Sequence, residues 1–300
     1  KGDKKPVAFI EDCAVSLDHL AEYTARLKEI FKKYNTSGMF YAHASVGTLH
    51  IRPVLNMKSD EDIKNMKSIS QEAFEMVKNY KGSHSGEHGD GIVRSEFHEM
   101  MFGKKIINAF EEIKDTFDNK NLLNPGKIVR PYKSNDRSLM RYKSGYQANN
   151  INTHYDWSNW GQFSDAVEMC NNNGACRKLD SGVMCPSYRV TKEEKDLVRG
   201  RANTLRLALS NQLPEGSFAS KDMYETMELC VSCKACQREC PMSVDMAKMK
   251  SEFLSHYYKK FSMPIKDRVI SDMPRLIWLL KIIAPTFNKV KNLPLISTIV

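Results

Sequence analysis

Cysteine spacing constrains this chain more than any other feature. Seven of its 8 cysteines lie between Cys170 and Cys240. Four of them form Cys230-Val-Ser-Cys233-Lys-Ala-Cys236-Gln-Arg-Glu-Cys240-Pro241, a C-x2-C-x2-C-x3-C-P run. Three thiolates two residues apart wrap the backbone round one cubane, and the proline turns the chain away after the fourth. Zinc also takes four thiolates, but zinc ribbons pair two separate C-x2-C knuckles rather than one compressed run. A disulfide framework needs an extracellular setting that no export signal supports. The segment therefore reads as an iron–sulfur site holding at least one 4Fe-4S cluster.

A degenerate copy lies upstream, Cys170-Asn-Asn-Asn173-Gly-Ala-Cys176 followed by Cys185-Pro186. Cys170 and Cys176 are spaced like the first and third cysteines of the run, with Asn173 at the second position. In two-cluster ferredoxins the fourth cysteine of each run ligates the other cluster. Such a crossover puts Cys185 with Cys230, Cys233 and Cys236 and leaves Cys170, Cys176 and Cys240 one thiolate short. That remainder fits a three-iron cluster, a four-iron cluster with a foreign ligand, or structural thiols around a single cluster. Cys13 stands alone and reads as a buried, inert thiol.

The first 132 residues have a different character. Val7 to Ile10 is a strand candidate, and Ser16 opens a helical stripe of Leu17, Leu20, Leu27, Ile30 and Phe31. Ser59 and Asp62 cap a helix carrying Ile63, Met66, Ile69, Ala73, Phe74 and Val77. A glycine-rich loop spans residues 82–91, and a helix covers Lys104 to Phe117. Residues 133–160 are polar and irregular and read as a linker. The pattern beyond is helical, with Thr191 and Glu194 as a capping box and apolar repeats through Met246, Met249 and Phe253.

Between Met39 and Pro53 two β-rich stretches flank a short polar turn. A four-residue loop at 44–47 sets His43 opposite Thr48 and puts His50 on the same face, where two imidazoles can share one metal. Two ordinary hairpin histidines fit the spacing as well. Gly86-Glu87-His88-Gly89-Asp90-Gly91, with Arg94 beyond, sets a carboxylate beside an imidazole among glycines that allow close backbone approach. Alone it also fits a surface turn.

In order and spacing, Tyr41-Ala-His43, Gly47, His50, then Gly86-Glu87-His88-Gly89, then Leu123-Asn124-Pro125-Gly126-Lys127 resemble the C-terminal substrate domain of FAD-linked oxidases of the vanillyl-alcohol-oxidase type. Cys185-Pro-Ser-Tyr, Arg199-Gly-Arg-Ala-Asn203 and residues 230–248 resemble the iron–sulfur region fused to that domain in long bacterial D-2-hydroxyglutarate or D-lactate dehydrogenase-like proteins. The resemblance implies an α+β fold. A ferredoxin-like substrate (cap) domain spans 1–132, an all-α helical-ferredoxin iron–sulfur domain spans 161–262, and 263–300 begins a further segment. It implies a divalent metal such as Zn or Mn at His43, His50 and Glu87, His88 as the base, and Asn124 and Lys127 at the turn near the flavin. Shorter members carry a polar amide where this chain has Arg52. Arg52 or Arg94 is expected to hold the second carboxylate of a dicarboxylic substrate, as bidentate geometry favours.

The implied activity is oxidation of a D-2-hydroxyacid, with electrons passing from FAD to the cluster and on to a quinone, cytochrome or flavoprotein. Two other readings are a non-catalytic electron-transfer subunit and a zinc-stabilised basic nucleic-acid-binding protein. The net charge of +9 is spread over both halves of the chain, without a nucleic-acid-binding motif, and suits a peripheral seat on the inner face of a membrane at least as well. The expected location is cytoplasmic. The FAD-binding domain implied by the resemblance is not in the sequence, and the chain ends on the apolar run Leu293 to Val300. It therefore reads as an internal fragment, expected to bind FAD weakly or not at all and to be inactive alone.

Overall fold

The structure, a computed structural model, describes residues 2–291. The terminal run Leu293–Val300 lies outside them. The described residues form two compact units, the first from the residues up to 148 with 158–165, the second from 149–157 and the residues from 166 onward.

The first unit is built on β1 (Lys4–Pro6), β2 (Cys13–Ala14), α1 (Leu20–Lys33), β3 (Gly38–His43), β4 (Thr48–Asn56), α2 (Asp60–Asn79), α3 (Gly91–Ser95), α4 (His98–Phe102) and α5 (Lys104–Phe117). β4 is the centre of an antiparallel sheet and pairs with β1, β2 and β3. The strand–helix–strand–strand–helix order ends in a single bridge, Ala14 to Ser83. Side chains alternate along β4. Leu49, Ile51 and Leu55 enter the core, while His50 and Arg52 take the opposite face. Helix α1 buries Tyr23, Leu27 and Phe31 at spacings of four. Helix α2 starts where Ser59 Oγ accepts the Asp62 amide hydrogen, and its stripe buries Ile63, Met66, Ile69, Phe74 and Val77. Each such fully buried side chain contributes roughly 1.5–3 kcal/mol.

Val7 to Ile10 is not a strand. The strand lies earlier, at Lys4–Pro6, and the apolar run bends so that Phe9 and Ile10 sink into the core. Val7 still donates its amide to the Pro53 carbonyl at 2.8 Å, and beyond it Phe9 and Ile10 are held by apolar burial rather than by ladder pairing. Cys13 is fully buried as expected, and desolvation pushes its thiol up to about 12.

The second unit is helical: α6 (Phe163–Glu168, which straddles the division), α7 (Pro186–Thr191), α8 (Val198–Leu209), α9 (Lys221–Glu228), α10 (Ala235–Glu239), α11 (Met246–Lys260) and α12 (Ile265–Lys291). Its interior is formed by Leu205 and Leu209 of α8, Met223 and Met227 of α9, and Met249 and Phe253 of α11. The Thr191–Glu194 capping box does not form. Thr191 ends α7, Lys192 turns left-handed at φ 61°, and Glu194 pairs with Arg199 at 2.6 Å before α8 begins. Among the described residues, no helix is long and apolar enough to cross a membrane.

Candidate functional site

The hairpin places the first histidines. Strands β3 and β4 pair with His43 opposite Thr48 and Tyr41 opposite His50, so Tyr41, His43, His50 and Arg52 share one face. Gly47 closes the turn at φ +72°, where an added Cβ would stand 1.9 Å from the Val15 carbonyl oxygen.

The loop after α2 then delivers Glu87 to that face. Glu87 Oε1 lies 2.8 Å from His50 Nε2, 3.5 Å from His43 Nε2 and 3.3 Å from His88 Nε2. Three ring nitrogens thus converge on one carboxylate oxygen. His50 is buried, and its Nδ1 lies 2.9 Å from the Glu11 carbonyl oxygen. A carbonyl only accepts, so Nδ1 carries the proton and Nε2 presents a lone pair to the carboxylate. Two electron-rich atoms 2.8 Å apart need a cation between them, either a proton or a metal ion. Asp12, His50, Glu87 and His88 each offer a ligand atom within 4.8 Å of one another, while His43 stands outside that group, 3.5 Å from Glu87. Imidazoles with a carboxylate fit a divalent ion, and the backbone carbonyl fixes the His50 tautomer in the manner usual for metal-bound histidine.

Two residues that the sequence motifs do not single out complete this site. Asp12 is fully buried and accepts hydrogen bonds from the His88 amide (2.8 Å), the Glu87 amide (3.1 Å) and Ser85 Oγ (3.2 Å). Burial alone raises its carboxyl pKa. The His88 and Glu87 amides, the Arg94 charge and the Ser85 hydroxyl outweigh that and hold it below the usual range. Glu11 accepts from Arg52 Nε at 2.7 Å and lies 3.6 Å from His88 Nδ1. Both acids sit on an irregular segment more than seventy residues before the loop they hold. Their only mark in the sequence is an acidic pair directly after an apolar run.

The expected arginines have different surroundings. Arg52 is exposed, tethered by Glu11 and by Tyr41 Oη at 3.3 Å. Arg94 is buried, and its Nη1 donates to the Gly89 carbonyl at 2.5 Å. Asn124 and Lys127 line an apolar groove of about 580 Å3 with Phe110, Ile113 and Phe117. Beneath the Glu87–His88 loop a second group gathers: His84, Asp90 and His98 each offer a ligand atom, all within 4.8 Å of one another.

In the second unit, burial pushes the Cys185 thiol up to about 11; Arg201 opposes this, and Cys230, Cys236 and Cys233 act electrostatically on it as well. Arg201 Nη1 lies 3.9 Å from Cys185 Sγ, and Lys250 Nζ donates to the Cys230 carbonyl at 2.7 Å. Two cations therefore flank this group of four thiols, ready to offset the charge of a thiolate-bound cluster. Cys170 and Cys176 form a separate pair beside Arg199. Helix α10, which leads into Cys240, packs on the turn holding Cys176. Asn173 accepts the Ala175 amide hydrogen at 2.8 Å, so its oxygen is occupied in a local turn.

Residues 1–128 match the family described as FAD linked oxidases, C-terminal domain, and residues 166–244 match the 4Fe-4S dicluster domain. The chain is 29% identical over 331 aligned residues to D-2-hydroxyglutarate dehydrogenase of Escherichia coli, covering 99% of this chain and 32% of that protein. The protein of the same name from Pantoea ananatis is 30% identical, over 90% of this chain and 30% of its own length. A D-lactate dehydrogenase of Archaeoglobus fulgidus is 32% identical over 43% of this chain and 28% of its own. The chain thus spans about a third of the length of the D-2-hydroxyglutarate dehydrogenases it resembles. It joins a region similar to the C-terminal domain of FAD linked oxidases to one similar to a 4Fe-4S dicluster domain.

Proposed function

We propose that the complete protein oxidises a D-2-hydroxyacid, D-2-hydroxyglutarate or D-lactate, to the 2-oxoacid. This chain supplies the substrate side of the site and the route by which electrons leave. The observation that carries the reading is the convergence of three imidazole nitrogens on Glu87 Oε1, in a region similar to a flavin-linked substrate domain. The reading keeps the ferredoxin-like cap for residues 1–132 and the helical ferredoxin for 161–262. The strand–helix–strand–strand–helix order of the first unit and the helical second unit support it.

His43, His50 and Glu87 hold a divalent ion, zinc or manganese, because two imidazoles favour softer ions than magnesium. When bound, the groups supply a Lewis acid that lowers the substrate hydroxyl pKa, a flavin hydride acceptor, and a cluster that passes electrons singly. His88 is the base. Its Nδ1 faces Glu11 and Asp12 at 3.6 and 3.7 Å, and these charges stabilise the imidazolium formed when the ring takes the hydroxyl proton. Arg52, exposed beside the histidines, binds a second carboxylate of the substrate, whereas Arg94 supports the loop from below. Asn124 and Lys127 face the flavin. Cys185, Cys230, Cys233 and Cys236 ligate one 4Fe-4S cluster, and Cys170, Cys176 and Cys240 frame a second, incomplete site. The acceptor is a quinone, cytochrome or flavoprotein. The net charge of +9 suits a peripheral seat on an acidic membrane surface.

The test uses the complete protein under anaerobic conditions, with cluster reduction followed by EPR after addition of D-2-hydroxyglutarate or D-lactate. His88→Asn should slow substrate-driven reduction by roughly 10²–10⁴-fold, while dithionite still reduces the clusters fully. An unchanged rate removes His88 from the mechanism. A wild-type protein that no D-2-hydroxyacid reduces would leave an electron-transfer subunit as the reading.

A further inference from the structure

We infer that His84, Asp90 and His98 form a second divalent-metal site, separate from the His43–His50–Glu87 group, with zinc as the ion it fits. The three side chains each offer a donor atom, all within 4.8 Å of one another, close enough to be drawn onto one ion. His84 Nε2 lies 3.4 Å from Asp90 Oδ1, and His98 Nε2 lies 3.2 Å from Asp90 Oδ2. Hydrogen bonds between such groups close to about 2.8 Å. The edge of a zinc tetrahedron with nitrogen and oxygen ligands is about 3.3 Å.

The protonation pattern points the same way. His98 Nδ1 lies 3.1 Å from the Ile128 carbonyl oxygen, so that nitrogen is the donor. His98 Nε2 then turns a lone pair toward a carboxylate oxygen. His98 Nε2, both ring nitrogens of His84 and Asp90 Oδ1 are all buried without a hydrogen-bond partner. Buried polar atoms left unpartnered cost about 1–3 kcal/mol each unless something binds them. A cation between the three side chains satisfies the facing atoms together.

The surroundings hold the two imidazoles away from water. His84 and His98 are 0% and 3% exposed. Phe74 and Phe102 pack edge-on against the His84 ring at 5.3 and 5.6 Å, and Phe102 also contacts His98. This jacket keeps water from the imidazoles. Asp90 is the less buried ligand, so the fourth position opens on its side. Arg94, the nearby cation, is drawn off by the Gly89 carbonyl and by the charge of Asp12.

The placement gives the site a purpose. His84 and Asp90 bracket Glu87 and His88 in the chain, and His98 comes from α4. One ion therefore pins both ends of the loop that carries the proposed ligand and base, and ties it to a helix. Its role is positioning.

The test separates the two sites. The chain, purified with its iron in place, is stripped of other metals, titrated with zinc and assayed for bound zinc by elemental mass spectrometry. Glu87→Gln removes a ligand of the hairpin site only, and zinc held at cysteines is common to every arm. The Glu87→Gln chain should retain one zinc equivalent beyond that background. Adding Asp90→Asn or His98→Gln should remove that equivalent or weaken it at least 100-fold. In the Glu87→Gln chain, zinc should also slow hydrogen exchange across residues 83–95, and adding Asp90→Asn should abolish the effect. If His98→Gln fails to fold, as circular dichroism will show, the partly exposed Asp90→Asn decides. No zinc beyond background in the Glu87→Gln chain, or zinc unchanged by Asp90→Asn, overturns the inference. Failure of the hairpin site is a different result, equal zinc in wild type and Glu87→Gln.

Discussion

Asp12→Asn isolates the role of one buried carboxylate in shaping the site. Asp12 accepts from the Glu87 amide, the His88 amide and Ser85 Oγ at 2.8–3.2 Å. A hydrogen bond to a charged acceptor is worth about 1.5–3 kcal/mol and one to a neutral acceptor about 0.5–1.5, so neutralisation loses about 1 kcal/mol per donor. Three donors give about 3 kcal/mol, with the attraction of Arg94 in addition. Asparagine keeps the shape, so the effect is on charge rather than volume. The loss falls on the 83–95 loop, and at 1.4 kcal/mol per factor of ten it speeds local opening about 100-fold. Hydrogen exchange by mass spectrometry on peptides spanning 82–95 reads this directly, and affinity for the hairpin metal should fall about 10–100-fold. Exchange within threefold of wild type would refute the reasoning, because the loop would then be held by something other than Asp12.

Other consequences are equally open to measurement. Glu96 is pulled down to about 2; burial opposes this, and Lys67 with the Ser134 amide and hydroxyl outweighs it. A depressed carboxyl stabilises the fold above its usual 4.5 and loses that contribution as pH falls toward 2. Chemical denaturation at pH 7 and pH 2.5 should therefore show an acid-dependent loss smaller by about 2–3 kcal/mol in Glu96→Gln. Gly47→Ala should destabilise the first unit by at least about 2 kcal/mol in urea, since its Cβ would stand 1.9 Å from the Val15 carbonyl oxygen at a left-handed φ. Glu252 is buried in the second unit and accepts from the His154 and Tyr155 amides and from Trp157 Nε1 at 2.8–3.0 Å. Glu252→Gln should cost about 2–3 kcal/mol, with the Trp157 environment as the fluorescence readout. Cys233→Ser should abolish the principal cluster signal in EPR, whereas Cys170→Ser should cost it little.

The parts legible in the sequence are those that local rules determine. The period of two and a four-residue turn fix the hairpin register, so the shared face of His43 and His50 follows from spacing alone. Ser59 and Asp62 mark the start of α2 by short-range cap chemistry, which here meets no competing partner for Ser59. The cysteine run announces itself because ligand spacing is imposed by the cluster. What escaped is long-range or satisfied in another way. Glu11 and Asp12 reach the site across more than seventy residues from a segment without periodicity. Val7 to Ile10 has strand-like composition, but burial of Phe9 and Ile10 competes with pairing and wins. The Thr191–Glu194 box has the right residues, yet Glu194 finds Arg199 and the cap is lost. Arg201 and Lys250 come from α8 and α11 and meet at the cysteines only in the fold.

The proposed function requires a metal ion at His43, His50 and Glu87 that activates the hydroxyl of a D-2-hydroxyacid. Its most direct test is rapid-mixing measurement of flavin reduction by D-2-hydroxyglutarate or D-lactate in the complete protein, stripped of divalent metal with its iron retained. The rate should fall at least about 100-fold below that of the untreated protein, be restored by zinc or manganese and not be restored when Glu87→Gln is present. Flavin reduced at the untreated rate in metal-stripped protein would contradict that requirement.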